Sequence, residues 1–198
     1  MLGSARSQGG MSLIELLVVV GVILILTVLY WGSGAESREH RQRTACQENL
    51  KRIYMALEIY ANEQAGKFPV VSGARTAEEA LDVLVPRYTI DTPVFVCPAS
   101  KAAPLPAGES FRRRKISYAY YMGRRAADAQ EVVMSDQQVD TLSKAAGQAL
   151  FSSTGRAPGN NHQGHGGNLL FGDGHADWSP PRAPGSLVLT QGVVLLNP

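Results

Sequence analysis

The sequence feature that most constrains the fold is a long apolar run near the N-terminus. No charged residue occurs from Leu16 to Trp31, and the segment 11–31 contains 21 residues. At about 1.5 Å of rise per residue, a helix of this length covers roughly 30 Å, the thickness of the hydrocarbon core of a bilayer. We therefore predict that residues 11–31 form a transmembrane helix and that the protein crosses the membrane once.

One carboxylate, that of Glu15, lies at the start of this run, and three interpretations account for the segment. The first is a secretory signal peptide with Arg6 as its basic region and cleavage at 33–35, although the run exceeds the usual ~7–15 apolar residues. The second is a plain membrane anchor with its carboxylate near the headgroups. The third is a polar leader that ends at Gly10, whose removal frees the amine of Met11. In that case Glu15 lies one helical turn away and neutralises this amine or that of a neighbouring helix.

The third interpretation is supported by a family signature. The string GMSLIELLV, residues 10–18, resembles the type IV prepilin signature shared by pilins and type II secretion pseudopilins. In that family a prepilin peptidase cuts after the glycine, and the new N-terminus is methylated. The resemblance therefore assigns processing to Gly10 and Met11, which stands where the family usually has phenylalanine. It assigns assembly to Glu15, at the fifth mature position, which guides registration of subunits in a helical filament.

The resemblance implies a structural subunit of a type II secretion or type IV pilus-like filament, and no enzyme. Its expected location is the bacterial inner membrane, with the C-terminal head in the periplasm or on the cell surface after assembly. The expected partners are prepilin peptidase, other pilin-like subunits and inner membrane lipid. Because the net charge is only +2, nucleic acid is not an expected partner. Arg38, Arg41 and Arg43 outnumber Arg6, so the positive-inside rule alone would place the head in the cytoplasm; we follow the resemblance.

The rest of the chain predicts a long helix followed by short antiparallel strands, and the resemblance implies an α+β fold in which this helix packs on a small antiparallel sheet, as in pilins. A helix is predicted from about Ser37 to Gln64 because apolar residues recur there at steps of three and four. This stripe consists of Cys46, Leu50, Ile53, Leu57 and Tyr60. A brief helix is predicted at 76–84, and short β-prone runs predict strands at 94–96, 116–121, 132–134 and 169–171, with an edge strand at 187–189. The predicted domains are a leader (1–10), the transmembrane half of the helix (11–31), its amphipathic half (32–64) and the head (65–198).

The most informative stretch of the head is NNHQGHGGNLLFGDGHADW, residues 160–178. Asp173 and Gly174 separate two apolar runs and predict a two-residue hairpin turn. The histidines of this stretch are His162, His165 and His175. Imidazoles and a carboxylate can bind zinc, but no spacing here matches a closed zinc motif. We therefore assign these side chains to hydrogen bonds within the loop and predict neither a metal nor a cofactor.

The same stretch resembles the C-terminal motif of a family of prepilin-like proteins from planctomycetes and related bacteria. That motif is a histidine, nine residues, then Asp-Gly, usually followed by histidine. The matching residues are His162, Asp173, Gly174 and His175, with Asn168 and Phe171 also aligned; ten residues separate His162 from Asp173. Cys97-Pro98, and Cys46 shortly before Asn49-Leu50-Lys51, resemble further elements of that family.

The two cysteines predict one disulfide if the head lies outside the cytoplasm. Cys46 belongs to the buried stripe, and Cys97 ends an apolar run able to cover it; two buried thiols are the alternative.

We find no nucleophile elbow, phosphate-binding loop or HExxH motif, so no catalytic residue is predicted. Asp136 is a candidate partner for His162 or His175 across strands. The alternative function is that of a membrane-tethered binding or sensor protein that never polymerises and whose head recognises a ligand through the histidine-rich hairpin. A third class, a zinc-dependent hydrolase, has less support from the sequence than either of these.

Overall fold

The computed structural model describes residues 12–32 and 34–198. The predicted processing residues Gly10 and Met11 therefore lie outside the described residues. The chain divides into two compact units, with the boundary between Arg38 and Glu39. The confirmed prediction is the fold class: the structure is α+β, with a helix packed on an antiparallel sheet.

The first helix, α1, spans Leu13–Gly32. Ser12 caps it, because its hydroxyl and carbonyl oxygens both accept from the backbone N–H of Glu15, at 3.3 and 3.0 Å. Glu15 thus lies in the first turn, where the helix dipole favours an acidic side chain. The large apolar side chains from Leu13 to Val28 are between 47% and 81% exposed. Within the part of the chain that the structure describes, no helix has the length and hydropathy required of a membrane span.

The second helix, α2, spans Gly34–Glu63. Cys46, Leu50, Ile53 and Leu57 are completely buried, which matches the stripe that the spacing predicts. The helix ends where Gly66 adopts a positive φ of 77° and its N–H donates to the carbonyl of Ala61 at 2.8 Å. A short helix, α3, follows at Ala77–Leu81 and continues as a 3-10 turn over Asp82–Leu84.

The sheet has five antiparallel strands in the order β4-β3-β2-β1-β5. They are β1 (Tyr118–Met122), β2 (Val132–Asp136), β3 (Gly167–Phe171), β4 (Ala176–Ser179) and β5 (Val194–Leu196). Successive side chains of β1 point to opposite faces of the sheet and pack into two different cores. Tyr118 and Tyr120 belong to the core that contains α2, whereas Ala119 and Tyr121 belong to a second core with Phe151. Both faces of the sheet are therefore covered.

Three local predictions were wrong. Residues 94 and 95 belong to a 3-10 turn at Thr92–Phe95, and Val96 follows it outside any strand, since Pro93 at the start of the turn favours a helical turn and cannot donate to a ladder. The edge strand is β5, whereas Leu187 makes only an isolated bridge to Lys144. The β3–β4 connection is the four-residue loop 172–175 instead of a two-residue turn.

A buried cluster where the C-terminal motif meets the helix

A disulfide joins Cys46 of α2 to Cys97, which follows the 3-10 turn at Thr92–Phe95. Both residues are buried, at 0% and 1% exposure. The predicted pairing is therefore confirmed, and it ties the helix to the rest of the head. Asn49, one turn further along α2, reinforces this link by donating from Nδ2 to the carbonyl of Val96 at 3.2 Å.

The motif histidine, His162, lies directly against this disulfide. Its Nε2 atom is 3.5 Å from Cys97 Sγ and 3.4 Å from Asp136 Oδ2. The ring is buried and packs edge-on against Trp178, with centroids 5.3 Å apart. Of the two partners that the sequence offered for Asp136, the structure selects His162.

Asp136, at the end of β2, is a buried carboxylate held by amide donors. Its Oδ2 accepts from the backbone N–H of Asn168 at 2.7 Å and from the Nδ2 of the same residue at 3.0 Å. Its Oδ1 accepts from Asn161 Nδ2 at 2.7 Å, and that amide also donates to the carbonyl of Ser117 at 2.6 Å. Burying a charged group is costly unless it is hydrogen-bonded, and these donors meet that need.

The other motif residues lie apart from His162, in the β3–β4 loop. Asp173 accepts from the backbone N–H of His175 at 3.0 Å and from the Nδ1 of its ring. These two hydrogen bonds hold the pKa of the Asp173 carboxyl below its usual value. His175 is exposed and stacks on Phe171, with ring centroids 4.2 Å apart. His165 is also exposed, with its Nε2 3.5 Å from Glu39 Oε2.

Gly174 packs closely against α2. Its φ is +85°, and a Cβ added there would lie 2.6 Å from Tyr54 Cε1. The Tyr54 hydroxyl lies 2.6 Å from the carbonyl oxygen of Gly172 and 2.8 Å from Glu58 Oε1. Burial and this carboxylate raise the pKa of Tyr54, so its hydroxyl stays protonated. The Asp-Gly turn is therefore a docking point for the helix.

The contacts of the 160–178 stretch with α2 follow one face of that helix. They involve Glu39, Arg43 and Tyr54, and Cys46 Sγ also lies within 4.8 Å of a ring nitrogen of His162. The spacings of these residues along the helix place them on one side of it. The Arg43 guanidinium lies 4.2 Å from the centroid of the Trp178 ring, a cation–π contact. Burial lowers the pKa of Arg43 from its ordinary value, although Asp177 and Glu39 oppose that shift.

Sequence reasoning missed three of these contact residues. Arg43 and Tyr54 fall three residues before and eight after Cys46, so helical spacing alone puts them on the cysteine's side of α2. Asn161 carried no signal, because an asparagine in a glycine-rich loop ordinarily serves the turn itself.

The described residues contain one group of four side chains able to hold a metal ion together. Cys46, Cys97, Asp136 and His162 each offer a ligand atom, and all four atoms lie within 4.8 Å of one another. His165 and His175 are not part of it, so the three histidines of the motif stretch do not converge on one site.

Comparison with known proteins adds a finding at the other end of the chain. Residues 5–30 match the family described as the prokaryotic N-terminal methylation motif. No curated protein and no solved structure matches the chain. The match covers Gly10, Met11 and Glu15 and supports a type IV prepilin-like, membrane-anchored protein. It does not reach residues 160–178, so the assignment of a C-terminal family stays a prediction.

Proposed function

We propose that this chain, whose residues 5–30 carry a prokaryotic N-terminal methylation motif, is a structural subunit of a type II secretion or type IV pilus-like filament. The match is the observation that carries the proposal. Prepilin peptidase would remove residues 1–10, and the protein would hold other pilin-like subunits through its N-terminal helix. The role is one of assembly, not of catalysis.

The chemistry of α1 supplies the assembly mechanism. Cleavage after Gly10 leaves a new ammonium group on Met11, four residues before Glu15. A charge of either sign is costly among apolar side chains, so the carboxylate and an ammonium group stabilise each other when both are buried. This pairing fixes the axial position of one subunit against the next.

The apolar surface of α1 supplies the adhesive contacts. We propose that residues 11–31 lie in the bacterial inner membrane as a single span before assembly, with the head outside the cytoplasm. The uncharged run from Leu16 to Trp31 supports this placement. During assembly the contacts of these helices with lipid are replaced by contacts with one another. Dispersion attraction between closely packed side chains then stabilises the assembled helices.

The intact mass of protein extracted from the membranes of its native host tests the proposal. We expect a polypeptide that begins at Met11 and carries one added methyl group. Gly10→Glu should block processing, because a bulky charge replaces the residue at the cleavage point, whereas Gly9→Ala is the matched control and should be processed normally. A mature chain that retains residue 1, or one that begins beyond Ala35, would overturn the proposal.

A further inference from the structure

We propose that the reduced protein binds one Zn²⁺ ion through Cys46, Cys97, Asp136 and His162. We call these residues the four-ligand cluster. They are all buried and supply two sulfurs, one carboxylate oxygen and one imidazole nitrogen, which are the ligand types that zinc takes in tetrahedral protein sites. The inference concerns the head and does not depend on the function proposed for the N-terminal helix.

The spacing of the ligand atoms fits a tetrahedral shell. Usual zinc–ligand bond lengths place a sulfur and a nitrogen about 3.5 Å apart, and a nitrogen and an oxygen about 3.4 Å apart, around one ion. In the structure Cys97 Sγ is 3.5 Å from His162 Nε2, and that nitrogen is 3.4 Å from Asp136 Oδ2. Two of the ligand-to-ligand distances therefore already match a tetrahedral shell, and the two sulfurs must move apart once their bond is broken.

Surrounding groups hold the carboxylate and the imidazole in place. Asn161 and Asn168 donate to Asp136 and fix the plane of its carboxylate. Trp178 packs against His162 and limits rotation of its ring. Partners of this kind orient metal ligands and raise affinity. The only ion pair that joins Asp136 to a described residue is with His162, so a cation in the cluster would also offset the buried negative charge.

The disulfide and the metal exclude each other. Breaking the Cys46–Cys97 bond takes two electrons and two protons, which a phosphine and water supply as the phosphine becomes a phosphine oxide. The two thiols then lose their protons as the ion binds, because thiolates are the ligands. The same two residues would therefore join α2 to the head in both redox states, by a covalent bond in one and through Zn²⁺ in the other.

A groove lies beside the cluster. It has a volume of about 1190 Å³, and its walls include Ala99, Ser117 and Asn161. Of these residues, Asn161 adjoins a ligand directly, because it donates to Asp136. The four ligands are buried and do not line the groove, so a reductant or an ion that approaches from this side reaches them only when the head opens locally.

The test uses the full chain in detergent, oxidised or reduced with a water-soluble phosphine, equilibrated with Zn²⁺ and freed of unbound metal. We expect about one zinc per reduced chain and none per oxidised chain. Co²⁺ in place of Zn²⁺ should give the thiolate-to-cobalt charge-transfer band and the intense visible bands of a tetrahedral site. His162→Ala should raise the Kd for Zn²⁺ at least about tenfold. The matched control His165→Ala, which alters an exposed histidine three residues away, should not.

The comparison of oxidised with reduced wild type needs no variant, so it stands even if His162→Ala folds poorly. Reduced protein that binds no Zn²⁺, whether folded or unfolded by circular dichroism, would overturn the proposal. So would equal binding in both redox states, a cobalt spectrum without thiolate bands, or equal affinities for the two histidine variants.

Discussion

The first helix and the head use apolar residues in opposite ways. In α1 the side chains from Leu13 to Val28 are exposed, and one acid, Glu15, interrupts them. In the unit that begins at Glu39, apolar side chains fill two cores on the two faces of one sheet. The cores of the head are formed by its own residues, whereas α1 presents an exposed apolar surface, which lipid or other helices would cover in the function proposed above.

This difference separates two kinds of effect. A substitution in α1 should change assembly and leave the free energy of unfolding of the head unaltered. A substitution in the head should change that free energy first. Each prediction below tests one side of this division, beginning with the largest expected effect.

The largest effect is expected for Glu15→Ala. This change removes the only carboxylate of α1, so a buried ammonium group in the assembled filament would have no counter-charge. We expect filaments to be lost entirely, as measured by chemical cross-linking of subunits and by shearing of the cell surface. The urea midpoint of the head, followed by the near-UV circular dichroism of its buried tyrosines, should stay the same.

Thr27→Ala is the matched control for that change. Thr27 is also polar and lies in the same helix, but its hydroxyl only donates to the carbonyl of Leu24 at 2.8 Å. Filaments should persist in this variant. If Glu15→Ala still forms filaments, the carboxylate does not hold the subunits together. If wild type forms no filaments and the protein still works in Glu15→Ala, the chain is a tethered sensor rather than a filament subunit.

The second effect belongs to the head. The Cys46→Ala/Cys97→Ala double variant removes a cross-link between residues 51 positions apart, so the unfolded chain gains freedom. We expect the free energy of unfolding to fall by about 3–4 kcal/mol. Urea unfolding of the full chain in detergent measures it, and Thr44→Ala, an exposed change on the same helix, should stay within about 0.5 kcal/mol.

Reduced wild type in the presence of a chelator should match the double variant, since both lack the disulfide and the metal. A loss below about 1 kcal/mol in the double variant would mean that packing of α2, and not the cross-link, holds the helix on the head.

The elements predicted correctly from the sequence are the helix with a strong local period and the β-prone runs 116–121, 132–134 and 169–171, which overlap β1, β2 and β3. The stripe from Cys46 to Leu57 repeats at helical spacing, and the disulfide follows from it once the head is placed outside the cytoplasm. The short elements were harder, because three apolar residues such as 94–96 fit a strand or a 3-10 turn equally well. Only Pro93 and the tertiary packing decide between them.

The candidate site depended even more on tertiary structure. The motif predicted that His162 and Asp173 matter, but the fold separates them. His162 contacts the disulfide, whereas the Asp173 turn docks on Tyr54. A motif read along the chain does not reveal that its two halves touch the same helix at different turns.

The third effect tests that docking through Gly174→Ala. A side chain at a φ of +85° costs about 1–2 kcal/mol, and a Cβ 2.6 Å from a ring carbon of Tyr54 adds about 1–3 kcal/mol. Gly147→Ala is the matched control, because its φ is +81° with nothing within 4 Å. Urea unfolding should show that Gly174→Ala loses more stability than Gly147→Ala, by about 1–3 kcal/mol. Equal losses of stability in the two variants would show that Gly174 does not pack closely against Tyr54 of the helix.

The smallest effect is a pH dependence at the same turn. The pKa of Asp173 is lowered in the folded protein, first by the backbone N–H of His175 and then by its ring. A lowered pKa adds stability that is complete above the unfolded value of about 3.9 and disappears as the pH falls through the folded value. The Tm advantage of wild type over Asp173→Asn should therefore shrink as the pH falls below about 4.

His175→Ala identifies which donor is responsible for that pH dependence. The backbone N–H is the larger cause of the lowered pKa and is still present in this variant. The Tm of His175→Ala should therefore still exceed that of His175→Ala/Asp173→Asn by an amount that depends on pH, although this difference should be smaller than in wild type. The loss of stacking on Phe171 lowers the Tm at every pH and does not change the slope. If the pH-dependent advantage vanishes entirely in His175→Ala, the imidazole of His175, and not its backbone N–H, is the donor that holds the Asp173 carboxylate. The shape of the turn would then depend on an exposed side chain.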